Sequence, residues 1–274
     1  GYGAKNTYNR YCYEEASPVS NLFLNLKYMI ERNGDDKESS CFDEIHRYGE
    51  VAILHNNYYL PLGFLAEPEL AEIEFAGEYN GFRFQNMLME AATGLEDNLW
   101  WIMTQDEWTV SAEDVTVTDT TSNGRTSYTD GMKGGIITYT FNVSNDGFMC
   151  VELDFPKRNS VTIWKNGEQL YSETMTLPQM MAVTDVVAGD VVEVKAKCQN
   201  SNESGRVDIT GAILNMERFE AAYNVLAAST LELTEFGTTY VAGTINCDRD
   251  GLLYTSIPQN GNWSVKVDGK EAEV

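Results

Sequence analysis

The alternation of apolar and polar residues is clearest between about residues 108 and 215. Short β-branched segments such as GIITYTFNV, SVTIW and DVVEVKAK are separated there by the turn sequences SNG, NDG, KNG and AGD. A period of two is typical of strands with one buried face, and regularly spaced short strands favour an antiparallel, jelly-roll-like sandwich of the galactose-binding kind. The inward residues predicted for two of its strands are Ile137, Tyr139, Phe141 and Val143, and Val192 with Val194.

Two segments change to the period of a helix. The first runs from Phe84 to Leu95 and includes Gly94, a residue that suits a helix C-cap. The second runs from Asn215 to Ala228 and follows the predicted sandwich directly. The positions that form one apolar stripe are Phe84, Met87, Leu88 and Ala91 in the first helix, and Met216, Phe219, Ala222, Tyr223 and Leu226 in the second.

The first third of the chain mixes both patterns. An apolar run at 22–30 is interrupted by Asn25 and Lys27, which favours a buried strand or a short helix. A second run at 51–60 follows the charged segment 31–40, which we expect to be an exposed loop. Alternating segments return after the second helix at 231–236, 239–246, 251–257 and 263–267.

These patterns predict an α+β, mainly β fold in three parts. Residues 1–107 form a mixed α/β subdomain, residues 108–215 the antiparallel β-sandwich, and residues 216–274 a bridging helix with a partial second β-domain.

Two stretches in the second and third parts resemble each other. SNDGFMCVELDFP followed by SVTIWKNGEQL is similar to DRDGLLYTSIP followed by WSVKVDGKEAEV, although ordinary hairpin sequences explain the similarity equally well. The second stretch is followed by only five residues after Gly269. We therefore expect that its partner strands are missing or that its strands join the sandwich. Together with the absence of an initiator Met, this indicates an excised piece of a longer polypeptide.

The charge of the chain narrows the range of partners. Its 42 acidic and 19 basic residues give a formal net charge of −23, which repels phosphate backbones and disfavours nucleic-acid binding. With 43% hydrophobic residues the chain is expected to fold, and it contains no run of the roughly 18 apolar residues that a membrane-spanning helix requires.

Cysteine and histidine patterns give no sign of a disulfide framework, a zinc site or a cofactor. Five cysteines are widely scattered without a CxxC pair, so buried thiols are expected at Cys12, Cys41, Cys150, Cys198 and Cys247. His46 and His55, the only histidines, lie in no nucleophile motif, and we interpret them as hydrogen-bonded residues rather than general bases. We interpret SNDG (144–147) and DRDG (248–251) as turns before strands rather than calcium loops.

The aromatic residues are better candidates for a binding site than any catalytic group. Carboxylates are so abundant that a glycosidase pair is not identifiable, and no catalytic residue is assigned. Exposed aromatic rings can stack on sugars, which makes Tyr58, Tyr59, Trp100 and Trp101 the candidate ligand-binding residues. In NNYYLPLGF (56–64), packing of the mixed subdomain and a pocket role for the tyrosines both remain open. For Trp164 and Trp263, packing on a sheet face is at least as good an interpretation.

Five segments, taken in order, resemble the YfhO family of bacterial polytopic membrane proteins. The most specific is the last, which contains the sequences GLLYTSIP and WSVKVDGK. The segments are NLFLNLKYMI (21–30), LHNNYYLPLGF (54–64), FRFQN (82–86), NMERFEAAYNVLAASTLELTEF (215–236) and GTINCDRDGLLYTSIPQNGNWSVKVDGKEAEV (243–274).

The resemblance implies that the chain is the extracytoplasmic region of a multi-helix membrane protein. That protein resembles lipid-linked sugar transferases of the GT-C kind, which act on cell-wall polymers such as lipoteichoic acid. The family's catalytic carboxylate lies in an early loop that this chain lacks, so the fragment is expected to be non-catalytic. Its expected partners are the membrane-embedded remainder of the polypeptide and a cell-wall glycan. The alternatives are a free-standing carbohydrate-binding or adhesion module and a soluble hydrolase.

Overall fold

The computed structural model describes residues 5–7, 10–12, 17–32, 39–74, 80–155, 160–175, 178–258 and 261–272. Its helices are α1 (Pro18–Phe23), α2 (Gly81–Thr93) and α3 (Met216–Ala227), with a 3-10 turn at Pro68–Glu72. The strands are β1 (Lys5–Thr7), β2 (Arg10–Cys12), β3 (Tyr28–Glu31), β4 (Phe42–Tyr48), β5 (Val51–Asn56), β6 (Gly63–Ala66), β7 (Trp100–Ile102), β8 (Trp108–Glu113), β9 (Thr116–Thr120), β10 (Arg125–Gly131), β11 (Ile136–Asn142), β12 (Gly147–Asp154), β13 (Ser160–Lys165), β14 (Glu168–Thr174), β15 (Gln179–Val186), β16 (Val191–Lys197), β17 (Glu203–Leu214), β18 (Glu232–Phe236), β19 (Val241–Thr244), β20 (Leu252–Thr255), β21 (Val265–Val267) and β22 (Lys270–Ala272).

The centre of the molecule is an antiparallel β-sandwich, as the alternation predicts. One sheet has the strand order β15-β12-β17-β10-β9, with β7 added on β17, and the other has the order β14-β13-β16-β11-β8. The chain crosses repeatedly from one sheet to the other, which is the connectivity of a jelly roll. The predicted inward residues are all buried in the core between the sheets: Ile137, Tyr139, Phe141, Val143, Val192 and Val194.

The first sheet has a second layer on its other face. Helices α1, α2 and α3 and strand β6 bury Leu22, Phe64, Phe82 and Phe219 in a second apolar cluster, to which β12 and β17 also contribute. The predicted run at 22–30 is divided between the end of α1 and the start of β3, with Asn25 in the left-handed region at φ 61°. Of the expected loop 31–40, residues 33–38 lie outside the described part of the chain.

Both predicted helices are confirmed. Helix α2 begins after Asn80, whose side chain accepts a hydrogen bond from Arg83 N, and ends at Gly94, which is left-handed and donates its N–H to Glu90 O. Its buried face is rotated from the predicted stripe: Phe84 and Leu88 are buried, whereas Met87 and Ala91 are half-buried. In α3 the predicted stripe is correct, because Phe219, Ala222 and Leu226 are buried and Met216 and Tyr223 half-buried.

The two similar stretches form equivalent hairpins. Asn166 and Gly167 connect β13 to β14 with φ values of 50° and 84°, and Asp268 and Gly269 connect β21 to β22 with 50° and 78°. Two consecutive positive φ values are the signature of a type I′ turn. The second stretch does not join the sandwich, however, because β20 pairs with β6 and β21 pairs with β22.

Strand pairing crosses both predicted domain boundaries. Strand β7 lies before position 108 and pairs with β17 of the sandwich, and β6 of the first part pairs with β20 of the third. Tyr254 on β20 stacks on Phe64, with 5.0 Å between the ring centroids. The three-part division of the chain stays a prediction.

The cysteine prediction is correct for three residues and wrong for one. Cys41, Cys150 and Cys198 are buried thiols, and burial raises the pKa of Cys41 to about 12. Cys247 is exposed, because it lies in the irregular segment between β19 and β20, which no layer covers. The side chain of Cys12 lies outside the described residues.

Glu152 on β12 attaches the start of α2 to the sandwich and generates a testable pH dependence. Its carboxylate accepts a hydrogen bond from Gly81 N at 2.8 Å. Burial raises the pKa of Glu152 above its ordinary value of 4.5, and the hydrogen bond from Gly81 opposes this only in part. A raised carboxyl pKa contributes stability that is complete below the ordinary value and is lost as the pH rises through the folded-state value.

We expect Glu152→Gln to become progressively more stable than the natural protein as the pH rises from 4 to 8. Urea unfolding of both proteins across that range measures the difference in free energy of unfolding. Glu168→Gln, at an exposed position on β14, is the control and should show a difference that does not change with pH. A flat or opposite slope for Glu152→Gln would contradict the assignment.

Candidate functional site

A cleft of about 540 Å³ opens where the start of β12, the end of β15 and the N-terminus of α3 meet. We call it the Trp101 cleft. Its lining residues come from six places in the sequence and are mostly polar: Ser40, Trp101, Ser144, Asn145, Asp146, Gly147, Asp185, Val186, Ala188, Asn215, Met216 and Glu217.

Two loops of the sandwich form one wall of the Trp101 cleft. Asp146 accepts a hydrogen bond from Ala188 N at 2.8 Å, which ties the loop before β12 to the turn after β15. A Cβ atom on Gly147 would lie 2.2 Å from Leu214 O, so only glycine fits this close approach to β17. The close approach of β17 therefore accounts for the glycine that follows Asp146. In the described part of the chain, no group of three or more His, Cys, Asp or Glu side chains is placed to hold a metal ion.

The opposite wall is held by a contact between distant parts of the sequence. Asp185 at the end of β15 accepts hydrogen bonds from Ser40 N at 2.5 Å and from Ser40 Oγ at 3.2 Å. Ser40 lies in the turn before β4, so these bonds attach the small sheet β3-β5-β4 to the rim of the sandwich. The third wall is the first turn of α3, where Asn215 accepts from Arg218 N at 3.0 Å.

The Trp101 cleft is rich in hydrogen-bond acceptors and acidic. Asp146, Asp185 and Glu217 are three carboxylates on its walls, and its lining residues include no lysine or arginine. An ionised carboxylate has about four acceptor positions, so Asp146 and Asp185 can accept further hydrogen bonds beyond those within the protein. The walls therefore offer a partner to hydroxyl or ammonium donors and repel anions.

Neighbouring tryptophans on β7 point to opposite faces of the first sheet. Trp101 lies opposite Ile213 of β17, packs against the sandwich core and remains half-buried at the cleft. Trp100 is only 2% exposed and donates its Nε1–H to Gln85 Oε1 at 2.9 Å. Trp100 is therefore not the exposed ring that the stacking prediction assumed, and its ligand-binding role stays a prediction.

Tyr58 and Tyr59 lie beside α3, outside the cleft lining. Tyr58 donates its hydroxyl to Glu220 Oε1 at 2.7 Å and packs edge-on against Phe219 at 4.9 Å between centroids. Burial, followed by the hydrogen bond to Glu220, raises the pKa of Tyr58, so the phenol stays a donor. Tyr223 donates to Tyr59 O at 3.2 Å. Both tyrosines are half-buried, and their ligand-binding role stays a prediction, as does that of Trp101.

The remaining aromatic and histidine candidates lie elsewhere. Trp164 is half-buried on a sheet face, with Lys195 Nζ 4.4 Å from its ring centroid. His46 lies 4.0 Å from Tyr48 and His55 lies 5.7 Å from Tyr28, between ring centroids. The structure shows these ring contacts for the two histidines, which were predicted to be hydrogen-bonded. Neither histidine lines the Trp101 cleft.

Sequence reasoning identified Trp101 but missed the polar residues around it. Asp146 was noted only as part of a turn, and Asp185 lies in a strand without any motif. The partner of Asp185 is Ser40, 145 positions away, so no local pattern connects them.

Comparison with known proteins places the chain among bacterial membrane proteins. The sequence profile of the family described as "Bacterial membrane protein YfhO" matches residues 2–274. No curated protein matches the chain. In the described residues, no helix has both the length and the apolar character needed to cross a membrane.

Several solved structures are similar to part of the chain. A family 35 carbohydrate-binding module from Clostridium thermocellum is 15% identical, with 42% of this chain and 98% of that chain covered and a TM-score of 0.29. The xylan-binding module CBM86 from Roseburia intestinalis is 12% identical, with 43% and 97% covered and a TM-score of 0.31. The C-terminal CBM6 of LamC from Zobellia galactanivorans is 11% identical, with 42% and 98% covered and a TM-score of 0.28.

The different surroundings of the two tryptophans predict different costs of substitution. Trp100→Phe removes a buried hydrogen bond and leaves a cavity, so we expect it to lower the free energy of unfolding by about 2–3 kcal/mol. Trp101→Phe, at a half-buried position, should cost less than about 1 kcal/mol. Urea denaturation of both variants measures the two costs, and equal losses would contradict the described burial.

Proposed function

The chain belongs to the YfhO family of bacterial membrane proteins, and on this premise we propose that it is a non-catalytic, extracytoplasmic glycan-recognition domain. In this proposal the membrane-embedded remainder of the polypeptide carries a glycosyltransferase centre. The domain holds the acceptor, a cell-wall polymer, in the Trp101 cleft.

The observation that carries the proposal is the half-buried ring of Trp101 beside three carboxylates and two amide side chains. An indole presents a large, rigid apolar surface on which the C–H face of a pyranose can pack. Sugar hydroxyls donate hydrogen bonds, and the cleft walls are rich in acceptors. This combination of an apolar surface with a few convergent polar groups is what small-molecule sites require.

The acidity of the cleft favours uncharged sugar units over anionic ones. Asp146, Asp185 and Glu217 lie on its walls, and a chain of net charge −23 also repels polyanions at long range. A polymer that carries both phosphates and sugars would therefore enter the cleft with a neutral sugar unit.

Binding to the cleft requires no proton transfer. An aromatic ring and hydrogen-bond acceptors recognise a sugar without a nucleophile, and the two histidines of the chain lie on another surface. Weak affinity is sufficient for this role, since a binding site and a catalytic centre on one polypeptide act at a high effective concentration. We therefore assign recognition to this chain and reaction to the membrane-embedded part.

Titration of the chain with neutral gluco-oligosaccharides, N-acetylglucosamine oligomers and lipoteichoic acid, followed by calorimetry and NMR, tests the proposal. We expect saturable binding of at least one neutral oligosaccharide and a loss of about tenfold or more in affinity for Trp101→Ala, which corresponds to about 1.4 kcal/mol. Trp164→Ala is the matched control, because Trp164 is also a half-buried tryptophan on a sheet but lies outside the cleft.

Three outcomes would contradict the proposal. The first is that the folded chain binds none of these glycans. The second is that the Trp164→Ala variant loses as much affinity as the Trp101→Ala variant, and the third is that the isolated chain turns over a sugar donor by itself.

A further inference from the structure

The small sheet β3-β5-β4 exposes an apolar face that no other described part of the chain covers. Four large apolar side chains on it are more than half exposed: Tyr28 at 53%, Ile30 at 61%, Ile45 at 54% and Tyr48 at 68%. We call this surface the outer face. Its members are Tyr28, Ile30, Asp43, Ile45, His46, Tyr48, Val51, Ile53 and His55.

Strand register explains why these residues share one side. In β5, Ala52, Leu54 and Asn56 are buried, and the alternate residues Ile53 and His55 are half-buried. Tyr28 pairs with His55 and Ile30 with Ile53, so both β3 residues lie on the same side as the half-buried positions.

Strand β4 extends the same surface on the other side of β5. His46 lies opposite Ile53 and Tyr48 opposite Val51, with an irregularity at Ile45 between Glu44 and His46. The ring contacts of His46 with Tyr48 and of His55 with Tyr28 confirm that these side chains project to one side. The buried residues of β5 lie on the opposite side of this sheet, and the outer face is in contact with solvent.

The outer face differs in charge from the rest of the chain. The chain has a net charge of −23, but the register places only one carboxylate, Asp43, on this face, opposite His55. Lys27 borders it, with Nζ 5.4 Å from the Tyr28 ring centroid. Arg32 follows β3 directly and is exposed. The outer face is therefore a nearly neutral, apolar area whose edge carries both these basic residues and the exposed Glu50 of the turn between β4 and β5.

We infer that the outer face lies against the headgroup region of a lipid bilayer. The chain belongs to a membrane protein family, so it works beside a bilayer. Tyrosine, with an apolar ring and a polar hydroxyl, is enriched at the boundary between lipid and water. A lysine at the border can extend its ammonium group to lipid phosphates. The acidic remainder of the surface turns away from anionic lipid, which fixes the orientation.

A second copy of the chain fits this face less well. Two molecules that each carry a net charge of −23 repel each other on approach, and salt reduces but does not remove this repulsion at contact distances. A zwitterionic lipid surface has no such penalty and offers an apolar layer below the headgroups.

Vesicle flotation of the whole 274-residue chain tests the inference. The test variant is Ile30→Ser with Tyr48→Ser, which removes one aliphatic and one aromatic side chain from the outer face. The matched control is Leu233→Ser with Phe236→Ser, an equivalent pair on the hairpin β18–β19 with exposures of 44% and 73%. Circular dichroism and thermal unfolding establish that both variants fold.

We expect the natural chain and the control variant to float with phosphatidylcholine vesicles and the outer-face variant to lose about tenfold in partition coefficient. Addition of phosphatidylglycerol should weaken binding of the natural chain, because the net charge opposes an anionic surface. Hydrogen exchange of the backbone amides of β3 and β4 should slow in the presence of vesicles.

Several results would overturn the inference. One is that the natural chain fails to float, and another is that both variants float equally well. A third is that only the control variant loses binding, which would assign the lipid contact to β18–β19. Self-association that the outer-face variant abolishes, without vesicle binding, would instead assign the face to a second copy. Since glycan binding at the Trp101 cleft is measured separately, failure of this inference leaves the proposed function intact.

Discussion

The end of β17 and the start of β12, in the first sheet of the sandwich, are buried on both faces, and the rest of the structure depends on this. Strand β17 alternates between the two apolar clusters: Ile209 and Ile213 lie in the sandwich core, whereas Ala212 and Leu214 lie in the helical cluster. Strand β12 does the same and reads as a nearly continuous apolar run, the pattern of a strand covered on both sides. On β17, Gly211 lets the second sheet approach closely, because a Cβ atom at this position would lie 2.7 Å from Phe141 Cε1.

This double burial determines where a ligand can enter. The helices cover this part of the sheet on one face and the second sheet covers the other, so here only the strand ends remain open. The outer side of β10 and of the first half of β17 instead carries the part-exposed Arg125, Arg206 and Asp208. The Trp101 cleft lies at the end where β7, β12, β15 and α3 meet. Because Trp100 and Trp101 are adjacent on a strand, one must enter the helical cluster and the other must face the sandwich side. The fold thus selects one of two neighbouring tryptophans as the candidate, and Gln85 fixes the other in place.

Local periodicity was sufficient for most of the fold. The inward residues of β11 and β16 and both long helices were predictable, since each depends on a pattern within one segment. The features that the sequence did not predict depend on packing between layers, which no single segment specifies. The alternation of a three-residue strand cannot tell which face is covered, so the sequence did not predict that Trp100 is buried. The bond between Asp185 and Ser40 joins residues 145 positions apart, and β20 pairs with a strand from the first third of the chain, so neither contact leaves a local signal.

The Asp185–Ser40 contact also connects the two surfaces for which we propose binding partners. Ser40 lies on the wall of the cleft and precedes β4, whose residues His46 and Tyr48 belong to the outer face. If that face lies on a bilayer, the strands of the small sheet run parallel to the membrane plane. Packed layers are separated by about 10 Å. The part of the cleft wall formed by Ser40, just before the start of β4, therefore stays close to the headgroups. A polymer anchored in the lipid would then reach Trp101 within a few sugar units of its anchor, which is close to the membrane where the proposed transferase centre would act.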